Sequence, residues 1–130
     1  MADTKLDIHI VTPEREVWSG EADMLIARTV EGELGILPGH APLLALLDVG
    51  PLAVVNGGQR EHAVIDGGFL HVAFDRVEVL AEHAELESEV DVGAARSRVE
   101  ELERRVAEGD EDARGELARA QARVALDERT

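Results

Sequence analysis

Five histidines, His9, His40, His62, His71 and His83, and 28 acidic side chains are the groups in this chain able to bind a metal or move a proton. Their spacing does not suggest a metal centre. No two histidines stand at H-x-H or H-x-x-x-H intervals, and there is no cysteine to complete a ligand set. A metal site would have to be assembled from distant strands. The three serines, Ser19, Ser88 and Ser97, lie outside any G-x-S-x-G elbow, so no activated nucleophile is indicated. Gly32-Glu-Leu-Gly35 has the glycines of a phosphate-binding loop without its lysine, and no helix start follows it. Most of the acids read as solvated charge. One group stands out: Glu31, Glu33 and His40 fall in a single segment rich in turn residues. The plain reading is a structural turn; the functional one is a tip that docks another protein.

The segment Glu31 to Leu44 that holds these three residues also constrains the backbone. Gly35 and Gly39 can take positive φ. Pro38 and Pro42 cannot donate to a sheet ladder. A short strand over Leu34 to Leu37, a rigid turn at Pro38-Gly39 and a new strand from Leu43 are expected, with His40 at an exposed tip.

The remaining sequence before Asp91 shows the same alternation. Leu6, Ile8 and Ile10 alternate with Asp7 and His9, as in a half-buried strand. Glu16 to Ser19 reads as a second strand. Met24-Leu-Ile-Ala27 is apolar on both faces and suits a strand covered on both sides. Leu52 to Asn56 ends at Asn56-Gly-Gly58, a strong hairpin signal. Glu61 to Asp66, Phe69 to Phe74, Val77 to Glu82 and Ala84 to Ser88 follow, with a turn expected at Asp66-Gly-Gly68. About ten short strands at these spacings predict a β-sandwich over residues 1–89.

From Asp91 the period changes. Val92, Ala95, Val99, Leu102 and Val106 form a helical stripe, with Asp91 as the N-cap. Glu100–Arg104 and Glu101–Arg105 stand at favourable i,i+4 spacing. Gly109 ends this helix, and Ala113, Leu117, Ala120 and Val124 make a second stripe. An antiparallel hairpin with a thin seam is expected over residues 90–130.

Composition sets the boundaries. The chain has 130 residues and a formal net charge of −15. Seventeen of the acids and five of the bases precede Asp91, so the acidity is concentrated in the strands. Such a surface repels phosphate backbones, which argues against nucleic acid as a partner. No apolar run approaches the roughly 20 residues needed to span a bilayer. The N-terminus lacks the pattern of a signal peptide. Any membrane association is expected to come through a partner.

Three stretches carry a family resemblance. Glu31 to Leu44, Asp66-Gly-Gly-Phe-Leu-His-Val72 with Val77-Glu-Val-Leu-Ala-Glu82, and the acidic, Ala/Arg-rich tail occur in the order typical of the epsilon subunit of the bacterial F-type, proton-translocating ATP synthase. The resemblance implies a non-catalytic rotor subunit at the cytoplasmic face of the bacterial cell membrane. It implies a docking loop, here Glu31, Glu33 and His40, facing the membrane ring of c subunits. It also implies packing against the gamma subunit, and a hairpin that opens toward the alpha and beta subunits of the catalytic head to restrain ATP hydrolysis. Some members bind ATP through Ile/Leu/Val-Asp-x-x-Arg-Ala at the start of the first helix. Val90, Asp91 and Ala95 match that pattern here, but Ala94 stands in place of the arginine and offers no guanidinium. No cofactor is expected, and ATP binding to the hairpin is expected to be weak or absent.

Two other readings remain open from the residues alone. One is a small metal-dependent enzyme using His40, His62 or His71 with a carboxylate. The other is a generic peptide-binding sandwich. Metal analysis addresses the first; recovery of ATP synthase subunits from membranes addresses the second.

Overall fold

The computed structural model describes residues 4–127. It contains eight strands: β1 (Leu6–Val11), β2 (Glu16–Ala22), β3 (Met24–Thr29), β4 (Gly32–Ile36), β5 (Leu43–Leu47), β6 (Gly50–Asn56), β7 (Gln59–Ala73) and β8 (Arg76–Leu86). A single 3-10 turn, Glu87–Glu89, leads to helices α1 (Val92–Ala107) and α2 (Ala113–Asp127). The sheet runs β2-β1-β8-β7-β5-β3-β4, with β6 joining β3 to β7.

The expectation of about ten strands is too high by two, because two expected breaks are absent. Asp66-Gly-Gly68 is not a turn. It lies inside β7, which stays in register with β8 from Ala63↔Leu86 to Ala73↔Arg76. Ala84 to Leu86 likewise continues β8 instead of starting a new strand. Both glycines take positive φ, 72° at Gly67 and 118° at Gly68, so the strand kinks without leaving the ladder. A Cβ at Gly68 would lie 2.1 Å from the Leu80 carbonyl oxygen, so β8 lies too close for any side chain there. The break between β5 and β6, at Asp48–Val49, falls at the same level. Before the kink β7 pairs with β6 (Ile65↔Gly50), and after it with β5 (Gly68↔Leu47). One set of long strands thus supplies both faces of the sandwich.

Two tight turns carry the chain between these strands. Gly57 (φ 61°) and Gly58 (φ 81°) join β6 to β7, as the Asn-Gly-Gly signal predicts. Phe74 (φ 51°) and Asp75 (φ 64°) join β7 to β8 in the same left-handed conformation, which is unusual for a bulky side chain. β1 is held on one side by β2, antiparallel, and on the other by β8, parallel, with Ile8 opposite Val77.

The core is aliphatic. Leu6, Ile8, Ile10, Leu25, Ile36, Leu70, Val72, Val77 and Val79 are buried between the faces. These alternate with outward residues, as a one-sided sheet requires. The N-terminal segment is clamped at its end. Lys5 Nζ donates to Asp23 Oδ1 at 2.5 Å and to Asn56 Oδ1 at 2.9 Å, and Gly57 N–H donates to Asp23 Oδ2 at 2.8 Å.

The hairpin forms as its stripes predict. Asp91 caps α1 by accepting from the Ala94 N–H at 3.0 Å, and Gly109 (φ 94°) follows the helix end. Leu102, Ala113 and Ala120 form its small core with Val99, Val106 and Leu117. The expected i,i+4 pairs are not made. Arg104 turns to Glu108 and Arg105 to Asp110, favouring acids at the C-terminal end of α1 and beyond it. Arg98 crosses the seam to Glu116. The helix that packs on the sheet is α2, against β6 and β7.

Candidate docking site

Glu31 sits in the two-residue turn between β3 and β4. The Thr29 hydroxyl donates to the Gly32 carbonyl at 2.8 Å and accepts the Glu31 N–H at 3.1 Å, which fixes that turn. Glu33 is exposed on β4, opposite Arg28. His40 lies past the other end of β4, in a turn where its N–H donates to the Leu37 carbonyl at 3.1 Å and Gly39 has φ 85°. Its Nδ1 lies 2.7 Å from the Ala41 carbonyl oxygen, so that nitrogen donates. The five residues of β4, about 13 Å of strand, separate Glu31 from His40. The two acids and the histidine therefore line one edge of the sandwich, and do not gather at a single tip.

The His40 turn is tied to a neighbour. Asp75 Oδ1 accepts the Gly39 N–H at 2.7 Å, and the Asp75 carbonyl accepts the Asp7 N–H at 2.8 Å. The Phe74–Asp75 turn and the His40 turn thus form one end of the molecule, where Phe74 stands 94% exposed and Leu37 is also uncovered.

A second surface is apolar. Leu46 lies opposite Phe69, and Phe69 opposite Leu80; Leu44 lies opposite His71. Leu44, Leu46, Phe69 and Leu80 are between 45% and 67% exposed. These are the outward positions of β5, β7 and β8, where a solvated sheet would carry polar residues. Sequence reasoning assigned the two-sided apolar pattern to Met24–Ala27, whose outward residues Met24 and Ile26 are in fact half-buried. The same signal was present in Leu43-Leu-Ala-Leu-Leu47, where it marks an uncovered face.

The hairpin residues of the partial nucleotide pattern have structural partners. Val90 packs with Val64, Val49, Ala122 and Leu126 between hairpin and sheet. The Asp91 carboxylate caps α1, and Ala95 is buried. Ala94, where the pattern has arginine, is exposed. Next to Val64, a cavity of about 600 Å³ opens between α2 and the sheet, lined among others by Arg15, Asp66, Glu82, Glu85, Arg119 and Arg123. Its three arginines are each bonded to a carboxylate: Arg15 to Glu89 at 2.8 Å, Arg119 to Asp66 at 3.1 Å and Arg123 to Glu85 at 2.7 Å. The Arg15 guanidinium, with the Leu86 N–H, holds the Glu89 carboxyl below the usual carboxylate range.

The histidines proposed for an enzyme are kept apart. His40 is in its loop, His71 lies 3.8 Å from Glu78 on the outer sheet face, and His62 is buried on the other side of the β7 kink, 3.8 Å from Glu87. Among the described residues no group of three His, Asp or Glu side chains is placed to hold a metal. No helix among them is long and apolar enough to cross a membrane.

Comparisons agree with this architecture. A family model described as "ATP synthase, Delta/Epsilon chain, beta-sandwich domain" matches residues 5–87. The ATP synthase epsilon chain of Thermobifida fusca is 50% identical over 124 residues, covering 92% of this chain and 90% of that one. The epsilon chain of Alkalihalophilus pseudofirmus is 46% identical over 106 residues, covering 82% and 80%. A chain in the solved structure of Euglena gracilis mitochondrial ATP synthase, OSCP/F1/c-ring in rotational state 1, superposes with a TM-score of 0.81 at 26% identity, over 95% of this chain and 81% of that one. A chain of the Tetrahymena thermophila central stalk/c-ring shares the fold, with a TM-score of 0.56 at 20% identity over 68% and 72%.

Proposed function

The chain belongs to the family of ATP synthase delta/epsilon chains, and on that premise we propose that it couples rotation of the membrane ring to ATP synthesis in the catalytic head. As an epsilon-type chain it is a non-catalytic component of the central stalk. The gamma subunit is the partner for the apolar face, and the ring of c subunits is the partner for the edge carrying Glu31, Glu33 and His40. The assembly sits at the cytoplasmic face of the bacterial membrane, and this subunit is peripheral.

The observation that carries this reading is the uncovered apolar face Leu44, Leu46, Phe69 and Leu80 on a chain with net charge −15. So acidic a protein gains nothing from four solvated leucine and phenylalanine side chains unless a partner covers them. The hairpin, whose seam is small, is the mobile regulator: opened, it enters the head and restrains hydrolysis. The division between sandwich and hairpin falls after Glu89. No nucleotide is assigned to the closed hairpin, because Ala94 lacks the guanidinium and the cavity arginines are already engaged.

Affinity capture of the tagged chain from bacterial membranes tests the assignment. Recovery of gamma and the head subunits supports it, and their loss from a Leu46→Asp/Leu80→Asp variant that still melts cooperatively identifies the face. Capture of other proteins without synthase subunits sinks the reading, and so does full recovery by that variant for the face.

A further inference from the structure

Arg119 and Arg123 stand one helical turn apart on α2, a rise of about 6 Å. The carboxylates they meet, Asp66 on β7 and Glu85 on β8, come from neighbouring strands, offset by two register positions: Asp66 lies opposite His83, and Glu85 opposite Val64. Two residues of strand span about 6.7 Å. The helix period and the strand period therefore match at these two pairs. Next to both is Val64, opposite Glu85 and two residues before Asp66 on β7, 4% exposed and packed on Ala122 and Leu126. Beside this small apolar cluster and the packing of α2 on β6, the two ion pairs are what join the closed hairpin to the sheet.

The two pairs differ in environment. Asp66 is the more covered carboxylate, with 14% of its side chain exposed, next to the kink that Gly67 and Gly68 impose. Arg123 and Glu85 are each about one-third exposed. Glu14 and Glu82 add negative charge to the same cavity wall, which makes the potential at both arginines more negative and so favours their guanidinium charge there. Both guanidiniums and Glu85 are open enough to water for salt to screen these pairs, the Asp66 pair less than the other.

We propose that Arg119–Asp66 and Arg123–Glu85 form an electrostatic latch, so that the ionic strength around the chain, and not a bound nucleotide, sets how far the hairpin stays closed. Its effect on hydrolysis rests on the reading of the hairpin as the regulatory arm; the latch itself does not. Arg15–Glu89 is separate from it. That pair fixes the connection before α1 and leaves α2 free to lift.

The full chain offers a clean test because it has no cysteine. Nitroxide labels on cysteines introduced at Glu61 on the sheet and Asp112 before α2 report the separation by pulsed electron resonance. A single short-distance population is expected at low salt. In about 1 M NaCl, where the Debye length is near 3 Å, a longer-distance population should rise roughly tenfold. Arg119→Glu with Arg123→Glu should give the long distance already at low salt. Adding Asp66→Arg and Glu85→Arg should restore the short one, while Arg114→Glu, which touches only Glu111 in the connection, should change nothing. Distances unmoved by both salt and the double reversal would overturn the latch and leave the apolar packing of α2 on β6 and β7 as the tether. If the distances respond while the reassembled complex hydrolyses ATP equally with each variant, the latch stands and the regulatory reading falls.

Discussion

The Asp75 carboxylate accepts the Gly39 backbone N–H at 2.7 Å, across 36 positions of sequence. This bond links the turn that ends β7 to the turn that presents His40. It explains why a loop with two prolines and a glycine needs no strand partner to hold one position.

That bond separates His40 from Glu33 experimentally. Glu33 is fixed by its strand, His40 by Asp75. Asp75→Ala should loosen the His40 turn by about 1 kcal/mol. Cysteines at Glu33 and at His40 should each cross-link to the polar loop of the rotor ring in assembled membranes, with Arg60 as the distant control. With Asp75→Ala added, the yield at His40 should fall and the yield at Glu33 should hold. Equal yields at all three sites would mean the edge is not the docking surface.

The strand kink makes a sharp prediction for the paired glycines. At Gly68 a methyl group meets the Leu80 carbonyl at 2.1 Å, so Gly68→Ala should cost roughly 3 kcal/mol or more. At Gly67 the nearest atom is the flexible Glu82 carboxylate at 3.8 Å, so Gly67→Ala should cost only about 1 kcal/mol, from its positive φ. Urea midpoints compare them. A Gly67 variant as damaged as the Gly68 one would show that backbone strain, not the approach of β8, dominates.

Acid should weaken the fold through Glu89 and Asp23. The Arg15 guanidinium holds Glu89 below its ordinary range, and the Gly57 N–H followed by Lys5 does the same for Asp23. A carboxyl whose folded pKa is depressed stabilises above its unfolded pKa, near 4, and that contribution is lost as pH falls through the folded value. Melting temperature followed from pH 7 downward should therefore drop less steeply for a Glu89→Gln, Asp23→Asn chain than for the parent. Parallel curves would show that neither group is linked to unfolding.

A chain ending at Glu89 should keep its β-rich circular dichroism and unfold cooperatively, because only Val64 and its neighbours lose their cover. Aggregation of that fragment would show that α2 completes the sandwich.

Titration calorimetry with Mg-ATP should show millimolar or no binding to the full chain, since Arg15, Arg119 and Arg123 are committed to carboxylates. Micromolar binding contradicts this. Ala94→Arg should strengthen binding if the missing guanidinium is the sole defect; no gain would mean that the committed arginines matter as well.

Much of the fold was written in local pattern. Leu6, Ile8 and Ile10 alternate as a one-sided strand must, and Asp91 and Gly109 mark the ends of α1 by their capping chemistry. The misreadings arose where the deciding contact is distant in sequence. Gly67-Gly68 looks like a turn because glycine pairs usually reverse the chain, and only the approach of Leu80 shows that it must stay in the ladder. Glu33 and His40 looked like one tip because they are close in sequence, while β4 holds them apart. The apolar face was legible in Leu43 to Leu47 by the same two-sided criterion that was applied to Met24–Ala27. Arg119 carries no local sign of its partner 53 positions earlier; on its own helix it reads as one more surface charge.

β1 lies between β2 and β8, and its parallel partner begins 69 residues downstream, where Asp7 meets Arg76. A ribosome delivers the first strand long before it delivers the one that locks it. Until Val77 and Val79 emerge, β1 has only β2 as a ladder partner, with its other edge open. The sheet around β1 is therefore completed only late in synthesis, and until then the nascent segment before Arg76 carries an unpaired strand edge.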